Sequence, residues 1–243
     1  MAHKNVANET LRQEHPELDH PVFSENRDIF VFDLDNTLYP AESNLFSQVD
    51  VKIGEYVQNL LSLDPVAARK VQKGYLLEHG TTLGGLMANH SIDPQHYLDS
   101  VHDIDLSPIA DDPALRTSLQ SLDGRRLVFT NADLPYAERV LNRLGIADLF
   151  EGIFDIHAAE LAPKPKPHVY DLFLHRYDVD PKRAIMFEDM VRNLIPAHAL
   201  GMATVWINTG SVWGEADYDA AKVHAETDSL HGWLDGHITR QKS

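Results

Sequence analysis

The stretch IFVFDLDNT, residues 29–37, decides the fold. Its first four residues are β-branched or aromatic, and residues that favour turns follow directly, which is typical of a buried strand that runs into a loop. Helical patterns at 136–144 and 167–177 lie between further apolar runs of the same kind. Strands that alternate with helices indicate a parallel sheet. The additional strands are predicted at 127–129, 153–156, 184–187 and 204–207.

A long insertion separates the first two predicted strands. A simple crossover needs about thirty residues, whereas residues 33–126 lie between these two strands. Apolar residues recur there at helical spacing, and Asp-Pro pairs, as at Asp64-Pro65 and Asp93-Pro94, place an N-cap before a proline at the first helical position. We therefore predict an α/β fold: a Rossmann-like, doubly wound parallel sheet with an all-helical cap domain inserted. The expected parts are a flexible N-terminal arm at 1–26, the core at 27–44 plus 111–243, and the cap at 45–110.

Composition excludes several classes of function. The formal charge of −16 disfavours binding to nucleic acid polymers, whose phosphates repel an acidic protein. The chain has no cysteine, which removes disulfides, thiolate nucleophiles and thiolate metal sites. The first 26 residues lack the apolar segment of a secretion signal, and no apolar run is long enough to span a membrane. We expect a cytoplasmic protein without a membrane partner; nothing in the sequence indicates a protein partner.

Two acidic residues follow the first predicted strand. Asp33 and Asp35 are two positions apart, so strand alternation points both side chains the same way at the carboxyl end of the sheet. Open α/β sheets bind their ligands at that edge. A capped turn is the alternative interpretation, because Asp, Asn and Thr all favour turns.

Three more polar signals lie at strand ends or just before a helix. Thr130 and Asn131 offer a hydroxyl and an amide that suit phosphate oxygens, although they would equally suit a helix N-cap. Lys164 lies in the proline-rich loop PKPKP at 163–167. Glu188 and Asp189 end the fourth strand, and two adjacent carboxylates repel each other unless a cation is present, which favours a metal site.

The ordered motifs DLDNT, TN, KPKP and FEDMVRN resemble those of the haloacid dehalogenase-like hydrolase superfamily. In that family the position of Asp33 is the nucleophile and that of Asp35 the general acid and base. The resemblance further implies that Thr130 binds the phosphoryl group and that Lys164, rather than Lys166, screens its charge. It also implies a Mg²⁺ cofactor, held by the side chains of Asp33, Glu188 and Asp189 and the carbonyl of Asp35.

The inserted helices resemble the family's first type of cap, and the segment between Thr130 and Lys164 is too short for the second type. The run FDLDNTLYP at 32–40 and the cap motif Gly80-Thr81-Thr82 are similar to the pyrimidine 5′-nucleotidase branch, except that His79 stands where that branch commonly has tyrosine. Thr81, Thr82 and Asn131 are thus candidate substrate-binding residues, although both threonines would equally cap helices within the cap domain.

The resemblance implies a Mg²⁺-dependent phosphomonoesterase that acts through an aspartyl-phosphate on a small phosphomonoester. The expected substrates are the pyrimidine nucleotides UMP and CMP. One alternative is a sugar-phosphate or phosphoglycolate-type phosphatase, or a phosphomutase, of the same superfamily. Another is an inactive nucleotide-binding module on the same fold, because fold alone does not fix function. The inactive module is disfavoured because every chemical position is filled. A dehalogenase is disfavoured because that branch lacks the second acid, here Asp35.

Overall fold

A six-stranded parallel sheet forms the centre of the computed structural model, which describes residues 16–24 and 26–241. The strand order is β3-β2-β1-β4-β5-β6, so the direction of winding reverses between β1 and β4. This is the doubly wound α/β arrangement predicted from the sequence. Ligands of such sheets bind at the carboxyl ends of the strands where the order reverses. The strands are β1 (Ile29–Phe32), β2 (Arg125–Phe129), β3 (Gly152–Phe154), β4 (Ala184–Glu188), β5 (Ala203–Ile207) and β6 (Ala225–Thr227).

Both faces of the sheet are buried, which explains why the central strands are continuously apolar. Successive side chains of β1 point to opposite faces. Phe30 and Phe32 pack in one apolar cluster with Trp233, whereas Ile29 and Val31 belong to a second cluster on the other face. The helices of the core are α5 (Pro113–Ser121), α6 (Leu134–Arg143), α7 (Pro167–Tyr177), α8 (Val191–Leu200) and α9 (Leu230–Gln241).

Four helices between β1 and α5 form the cap and fall inside the predicted insertion. The two helices that begin at Asp-Pro pairs have the capping expected from the sequence: Asp64 accepts hydrogen bonds from the backbone N–H groups of Val66 and Ala67, and Asp93 accepts one from Gln95. These bonds satisfy donors that the first helical turn leaves unpaired. The cap helices are α1 (Leu45–Leu61), α2 (Pro65–His79), α3 (Thr82–Asn89) and α4 (Pro94–His102).

Some elements differ from the expectations. Strand β6 was not predicted because it has three residues at the sheet edge, of which only Ala225 is buried, so it has almost no hydrophobic pattern.

Residues 1–15 and 25 of the predicted arm lie outside the described residues. Within 16–24, Leu18 and Phe23 are buried, and the ring of Phe23 packs edge-on against Trp233.

Short 3-10 helices connect the main elements. They lie at Pro16–Asp19, Pro21–Ser24, Ala41–Ser43, Ala147–Leu149, Pro181–Arg183 and Ala220–Lys222. Within the part of the chain that the structure describes, no helix is both long and apolar enough to cross a lipid bilayer.

Candidate active site

Four segments of the core deliver polar side chains to one edge of the sheet. Asp33 directly follows β1, Thr130 directly follows β2, and Glu188 is the last residue of β4. Lys164 lies in the loop before α7. Because the carboxyl ends of parallel strands share one edge, residues far apart in sequence meet at the point where the strand order reverses.

Lys164 lies at the centre of this group. Its Nζ atom donates hydrogen bonds of 2.7 Å to Oδ1 of Asp33, to Oε2 of Glu188 and to the backbone carbonyl of Phe129. The side chain is only 1% exposed. Burial opposes its charged form, yet the carboxylates of Asp33 and Glu188 raise the pKa of Lys164 above its ordinary value. Lys164 is therefore a fixed ammonium, whereas Lys166 is exposed.

Three buried carboxylates meet beside this ammonium. Asp33, Glu188 and Asp189 each offer an oxygen, and these oxygens all lie within 4.8 Å of one another. Burial and then the charge of Asp33 raise the pKa of Glu188 to about 7, and burial and the charge of Glu188 raise the pKa of Asp189 well above its usual range. A cation would remove the repulsion behind these shifts, and oxygen ligands are those that Mg²⁺ prefers. The donor set therefore fits Mg²⁺.

Two amides hold the carboxylates of this set. Asn193 Nδ2 donates a hydrogen bond of 3.0 Å to Oε1 of Glu188, and Asn36 Nδ2 lies 3.3 Å from Oδ2 of Asp189. Asn36 has a φ of 57° in the turn after β1, a left-handed conformation that asparagine adopts more readily than most residues. The turn chemistry of the DLDNT motif thus brings an amide donor to the acidic cluster.

Asp35 has a different environment from Asp33. Its Oδ1 accepts hydrogen bonds from the hydroxyls of Tyr39, at 2.5 Å, and Tyr136, at 2.8 Å. Burial and then the negative charge of Asp33 raise the pKa of Asp35 to about 6. A carboxyl group with a pKa near neutrality suits transfer of a proton in both directions. The participation of the Asp35 carbonyl in metal binding stays a prediction.

The two tyrosines were not singled out by sequence reasoning. Burial, then the charge of Asp35, raises the pKa of both Tyr39 and Tyr136 far above the ordinary value, so both hydroxyls keep their protons. Tyr39 stands in the run 32–40, but its role was not apparent from the pattern. Tyr136 lies 101 positions from Asp35 in the sequence, and no local signal connects the two residues.

Thr130 and Asn131 occupy the end of β2 as predicted. Thr130 is buried, and its hydroxyl oxygen accepts a hydrogen bond of 3.0 Å from the backbone N–H of Ala132. The Asn131 amide pairs with the backbone of Lys164, accepting from its N–H at 2.8 Å and donating to its carbonyl at 3.4 Å. Asn131 thus fixes the loop that carries the central lysine. Phosphoryl binding by Thr130 and substrate binding by Asn131 stay predictions.

A cavity of about 140 Å³ lies between the core and the cap and extends from Asp35. Lys73 and His102 are among the polar residues on its wall, together with Asn131 at the core side. The remaining wall is largely apolar and comes mainly from α1 and α4 of the cap. Its apolar residues include Phe46, Val49, Ile53, Tyr97, Leu98 and Val101. We name this space the cap cavity.

The cap motif Gly80-Thr81-Thr82 borders the cap cavity, and its threonines both have intramolecular partners. Thr81 is the N-cap of α3, its Oγ1 accepting from the N–H of Gly84 at 3.0 Å, and the Thr82 hydroxyl donates to the carbonyl of Gln72 at 3.1 Å. Thr81 thus caps a helix, which was the alternative to substrate binding for this residue. Both residues line the cavity, so their contact with substrate stays a prediction.

The first residue of this motif, Gly80, brings the cap close to the core, whereas the residue before it packs within the cap. Gly80 has a φ of 87°, and a Cβ atom there would lie 3.1 Å from the carbonyl oxygen of Lys164, so the position requires glycine both for its conformation and for its close approach. His79 instead packs edge-on against Tyr75 and is not among the residues that line the cap cavity.

A family model described as a haloacid dehalogenase-like hydrolase matches residues 27–201, which is more than half of the chain. The chain belongs to the haloacid dehalogenase-like hydrolases. This confirms the resemblance inferred from the four motifs. The prediction of an enzyme is confirmed at the level of a hydrolase family, and phosphoric monoester hydrolysis stays a prediction.

Comparison with individual proteins agrees with this assignment. The chain is 29% identical over 196 residues to Phosphate metabolism protein 8 of Saccharomyces cerevisiae, covering 74% of this chain and 61% of that protein. It therefore spans less than two thirds of the length of this relative.

Solved structures share the fold. CbbY from Rhodobacter sphaeroides in complex with phosphate has a TM-score of 0.59 at 20% identity, with 86% of this chain and 99% of that chain covered. A HAD phosphatase from Thermococcus onnurineus has a TM-score of 0.57 at 18% identity, with 86% and 96% covered. L-2-haloacid dehalogenase from Xanthobacter autotrophicus has a TM-score of 0.54 at 13% identity, with 89% and 100% covered.

Proposed function

We propose that this hydrolase is a Mg²⁺-dependent phosphomonoesterase that acts through an aspartyl-phosphate on Asp33, with pyrimidine nucleoside 5′-monophosphates as its preferred substrates. The observation that carries the reaction is the arrangement of Lys164 between Asp33 and Glu188, with Asp35 beside them and open to the cap cavity. A nucleophile, a fixed positive charge and a carboxyl group with a pKa near neutrality therefore lie together beside the cap cavity.

The proposed reaction has two half-reactions. A carboxylate oxygen of Asp33 attacks phosphorus, the ester P–O bond breaks, and Asp35 gives a proton to the departing oxygen. A water molecule then attacks the phosphorus of the aspartyl-phosphate and loses a proton to Asp35, which releases inorganic phosphate and restores both carboxyl groups. Lys164 and Thr130 would face the phosphoryl oxygens.

Asp33, Glu188 and Asp189 would hold Mg²⁺ in this enzyme. The ion would supply positive charge against the phosphoryl oxygens, which is the main requirement of phosphoryl transfer. Lys164 provides one positive charge against the carboxyl groups of Asp33, Asp35, Glu188 and Asp189, so the chain by itself would repel a phosphate dianion.

The cap cavity supports the choice of leaving group. A cavity near 140 Å³ is similar in size to the roughly 150 Å³ apolar cavities that take up benzene, so it suits a single six-membered ring better than a purine. Its largely apolar wall suits a planar base better than the hydroxyl groups of a sugar, because hydroxyls buried without partners cost free energy. The size and the lining of the cap cavity therefore favour pyrimidine nucleotides over sugar phosphates.

Lys73 is a charged donor on the wall of the cap cavity and is suited to recognise a base. Its Nζ atom makes a 2.8 Å ion pair with Asp50, and it lies 5.2 Å from the ring centroid of Trp213. An ammonium has three donors, so donors remain beyond the one that Asp50 accepts. A carbonyl oxygen is an acceptor of the required kind, and uracil and cytosine both carry one at C2.

The test is a comparison of kcat/KM for UMP, CMP, AMP, GMP and several sugar phosphates in the presence of Mg²⁺. We expect UMP and CMP to exceed the purine nucleotides and the sugar phosphates. Asp33→Asn is the matched control, because it keeps the side-chain volume and removes the nucleophile, and we expect it to have no turnover.

Each part of the proposal fails on a different result. A clear preference for a sugar phosphate would reject the nucleotide assignment and leave the phosphatase chemistry in place. Turnover by Asp33→Asn at the rate of the parent enzyme would reject the aspartyl-phosphate. Binding of UMP without turnover of any phosphomonoester would identify an inactive nucleotide-binding module.

A further inference from the structure

Two tyrosine hydroxyls converge on one oxygen of Asp35. Tyr39 and Tyr136 both donate to Oδ1, at 2.5 and 2.8 Å, and each tyrosine is only 1% exposed. Among the described residues, no side chain donates a hydrogen bond to Oδ2 of Asp35. The two carboxyl oxygens are therefore inequivalent: Oδ1 accepts both tyrosine hydroxyls, and Oδ2 accepts no hydrogen bond from a described side chain.

Tyr136 is held in place by one residue of the cap, His102, and one residue of the core, Asp133. It stacks on the imidazole of His102, with ring centroids 4.3 Å apart and planes within 10°. His102 is the last residue of cap helix α4, and its Nδ1 lies 2.8 Å from Oδ1 of Asp133. The same Asp133 oxygen caps α6 by accepting from the backbone N–H of Tyr136.

We propose that Tyr39 and Tyr136 are positioning residues that fix the rotation of the Asp35 carboxyl group, so that Oδ2 exchanges the proton with the leaving oxygen. This proposal rests on the proposed function. In the first half-reaction the proton on Oδ2 moves to the leaving oxygen as the ester P–O bond breaks; in the second, water returns a proton to Oδ2. Both tyrosine protons stay on their own oxygens throughout.

Fixing the carboxyl group matters because proton transfer depends strongly on alignment of donor and acceptor. A carboxyl group held at one oxygen by two buried donors loses most of its freedom to rotate, and the cost of ordering it is met when the protein folds. Because His102 belongs to the cap, the alignment of Asp35 is completed only when the cap lies against the core.

The experiment uses aryl and alkyl phosphates whose leaving groups differ in basicity. A dinitrophenolate ion leaves without a proton, whereas an alkoxide needs one. We expect Tyr39→Phe and Tyr136→Phe together to lower kcat/KM for alkyl phosphates by roughly 10-fold to 100-fold, and to change kcat/KM for 2,4-dinitrophenyl phosphate by less than about threefold. The phenylalanines keep the buried rings and remove only the hydroxyls.

Tyr177→Phe is the matched control, because the Tyr177 hydroxyl donates to the carbonyl of Ile153 away from Asp35. It should leave the dependence on the leaving group unchanged. If the double variant does not fold, the single variants Tyr39→Phe and Tyr136→Phe serve instead. Each should show the same difference between leaving groups, with a smaller loss of kcat/KM.

The possible results separate this proposal from the function on which it rests. An equal loss for all leaving groups would overturn the positioning role, because a structural defect does not distinguish between them. Asp35→Asn should make kcat/KM depend on the basicity of the leaving group at least as steeply as the double variant does. If the dependence in Asp35→Asn stays as in the parent, the proposed role of Asp35 fails. If it changes in Asp35→Asn but not in the tyrosine variants, only the positioning proposal fails.

Discussion

The ammonium nitrogen of Lys164 lies 2.7 Å from Oδ1 of Asp33, although 131 positions separate the two residues in the chain. The contact is almost fully buried and extends to Glu188 at the same distance. A charge removed from such a cluster leaves its partners uncompensated in a poorly solvated site. The contact therefore matters for both stability and charge balance at Asp33.

Lys164→Met should lower kcat/KM by at least about 100-fold, since it removes the only positive side chain that contacts Asp33 within the described residues. The matched control is Lys166→Met, two positions away in the same loop and exposed, which should keep nearly the activity of the parent. Steady-state kinetics on one phosphomonoester measures both. Equal losses in the two variants would contradict the assignment of Lys164.

Mg²⁺ should raise the melting temperature of the protein. Binding to the native state alone contributes about 2.7 kcal/mol at a concentration of 100 Kd, which corresponds to a rise of several degrees for a chain of this size. Asp189→Asn should abolish most of this rise. Without Mg²⁺ the variant should be at least as stable as the parent, because it removes a carboxyl group whose pKa is raised by burial and then by the charge of Glu188.

Thermal unfolding with and without Mg²⁺ measures this prediction. If Asp189→Asn were less stable than the parent without Mg²⁺, and Mg²⁺ raised both melting temperatures equally, Asp189 would have a structural role and would not be a ligand.

Lys73→Met should reduce recognition of the base. Loss of a hydrogen bond to a charged group costs about 1.5–3 kcal/mol, so kcat/KM for UMP should fall roughly 10-fold to 100-fold. The value for p-nitrophenyl phosphate, which has no carbonyl group to bind, should stay within about threefold. Lys70→Met is the control, as Lys70 is exposed on the same helix. A parallel fall for both substrates would show that Lys73 does not read the base.

Arg192 joins the core to the cap. Its guanidinium, from core helix α8, donates hydrogen bonds to the carbonyls of Leu76 and Gly80 at the C-terminal end of cap helix α2. Cations are favourable at that end of a helix. Arg192→Met should raise KM for nucleotides several-fold and make the cap more accessible to protease, while the exposed Arg176→Met should do neither. Unchanged KM and unchanged proteolysis would contradict the role of Arg192.

The buried histidine His237 should make the protein less stable in acid. Burial, then the charge of Arg240, lowers the pKa of His237 to about 4, from an ordinary value of 6.5. Between these values the unfolded chain binds the proton and the native protein does not, so stability falls as the pH falls from 6.5 to 4. The full effect is on the order of 3 kcal/mol.

The measurement for His237 is urea unfolding at several pH values between 4 and 7. His237→Gln should flatten the dependence of the free energy of unfolding on pH, whereas His175→Gln, at an exposed position on α7, should not. A dependence in His237→Gln as steep as in the parent would show that other groups cause the acid sensitivity.

Most of the fold followed from local patterns in the sequence. Apolar runs such as 29–32 predicted buried strands because a parallel sheet covered on both faces excludes polar side chains. Asp-Pro pairs predicted the starts of cap helices because the carboxylate and the ring each suit the first turn. Strand β6 was missed because an edge strand of three residues buries too little to impose a pattern.

The core of the site was also predictable, because each motif lies at a strand end or just before a helix and parallel strands share one carboxyl edge. That geometry is a consequence of topology, so DLDNT and FEDMVRN indicate from the sequence that Asp33, Glu188 and Asp189 meet at one edge. The choice of Lys164 over Lys166 rested on the family pattern, and the structure supports it through the contact with Asp33.

The sequence by itself determined the order of elements, the insertion of a helical cap and the residue types at the catalytic edge, because these depend on periodicity and local turn chemistry. Only the tertiary structure decided what surrounds Asp35: Tyr136 from α6, His102 from the cap and the cavity beside them. Such contacts join separate segments of the chain through side-chain packing, and Tyr136 lies 101 positions from Asp35. No local pattern encodes them, because they exist only once the core has folded and the cap lies against it.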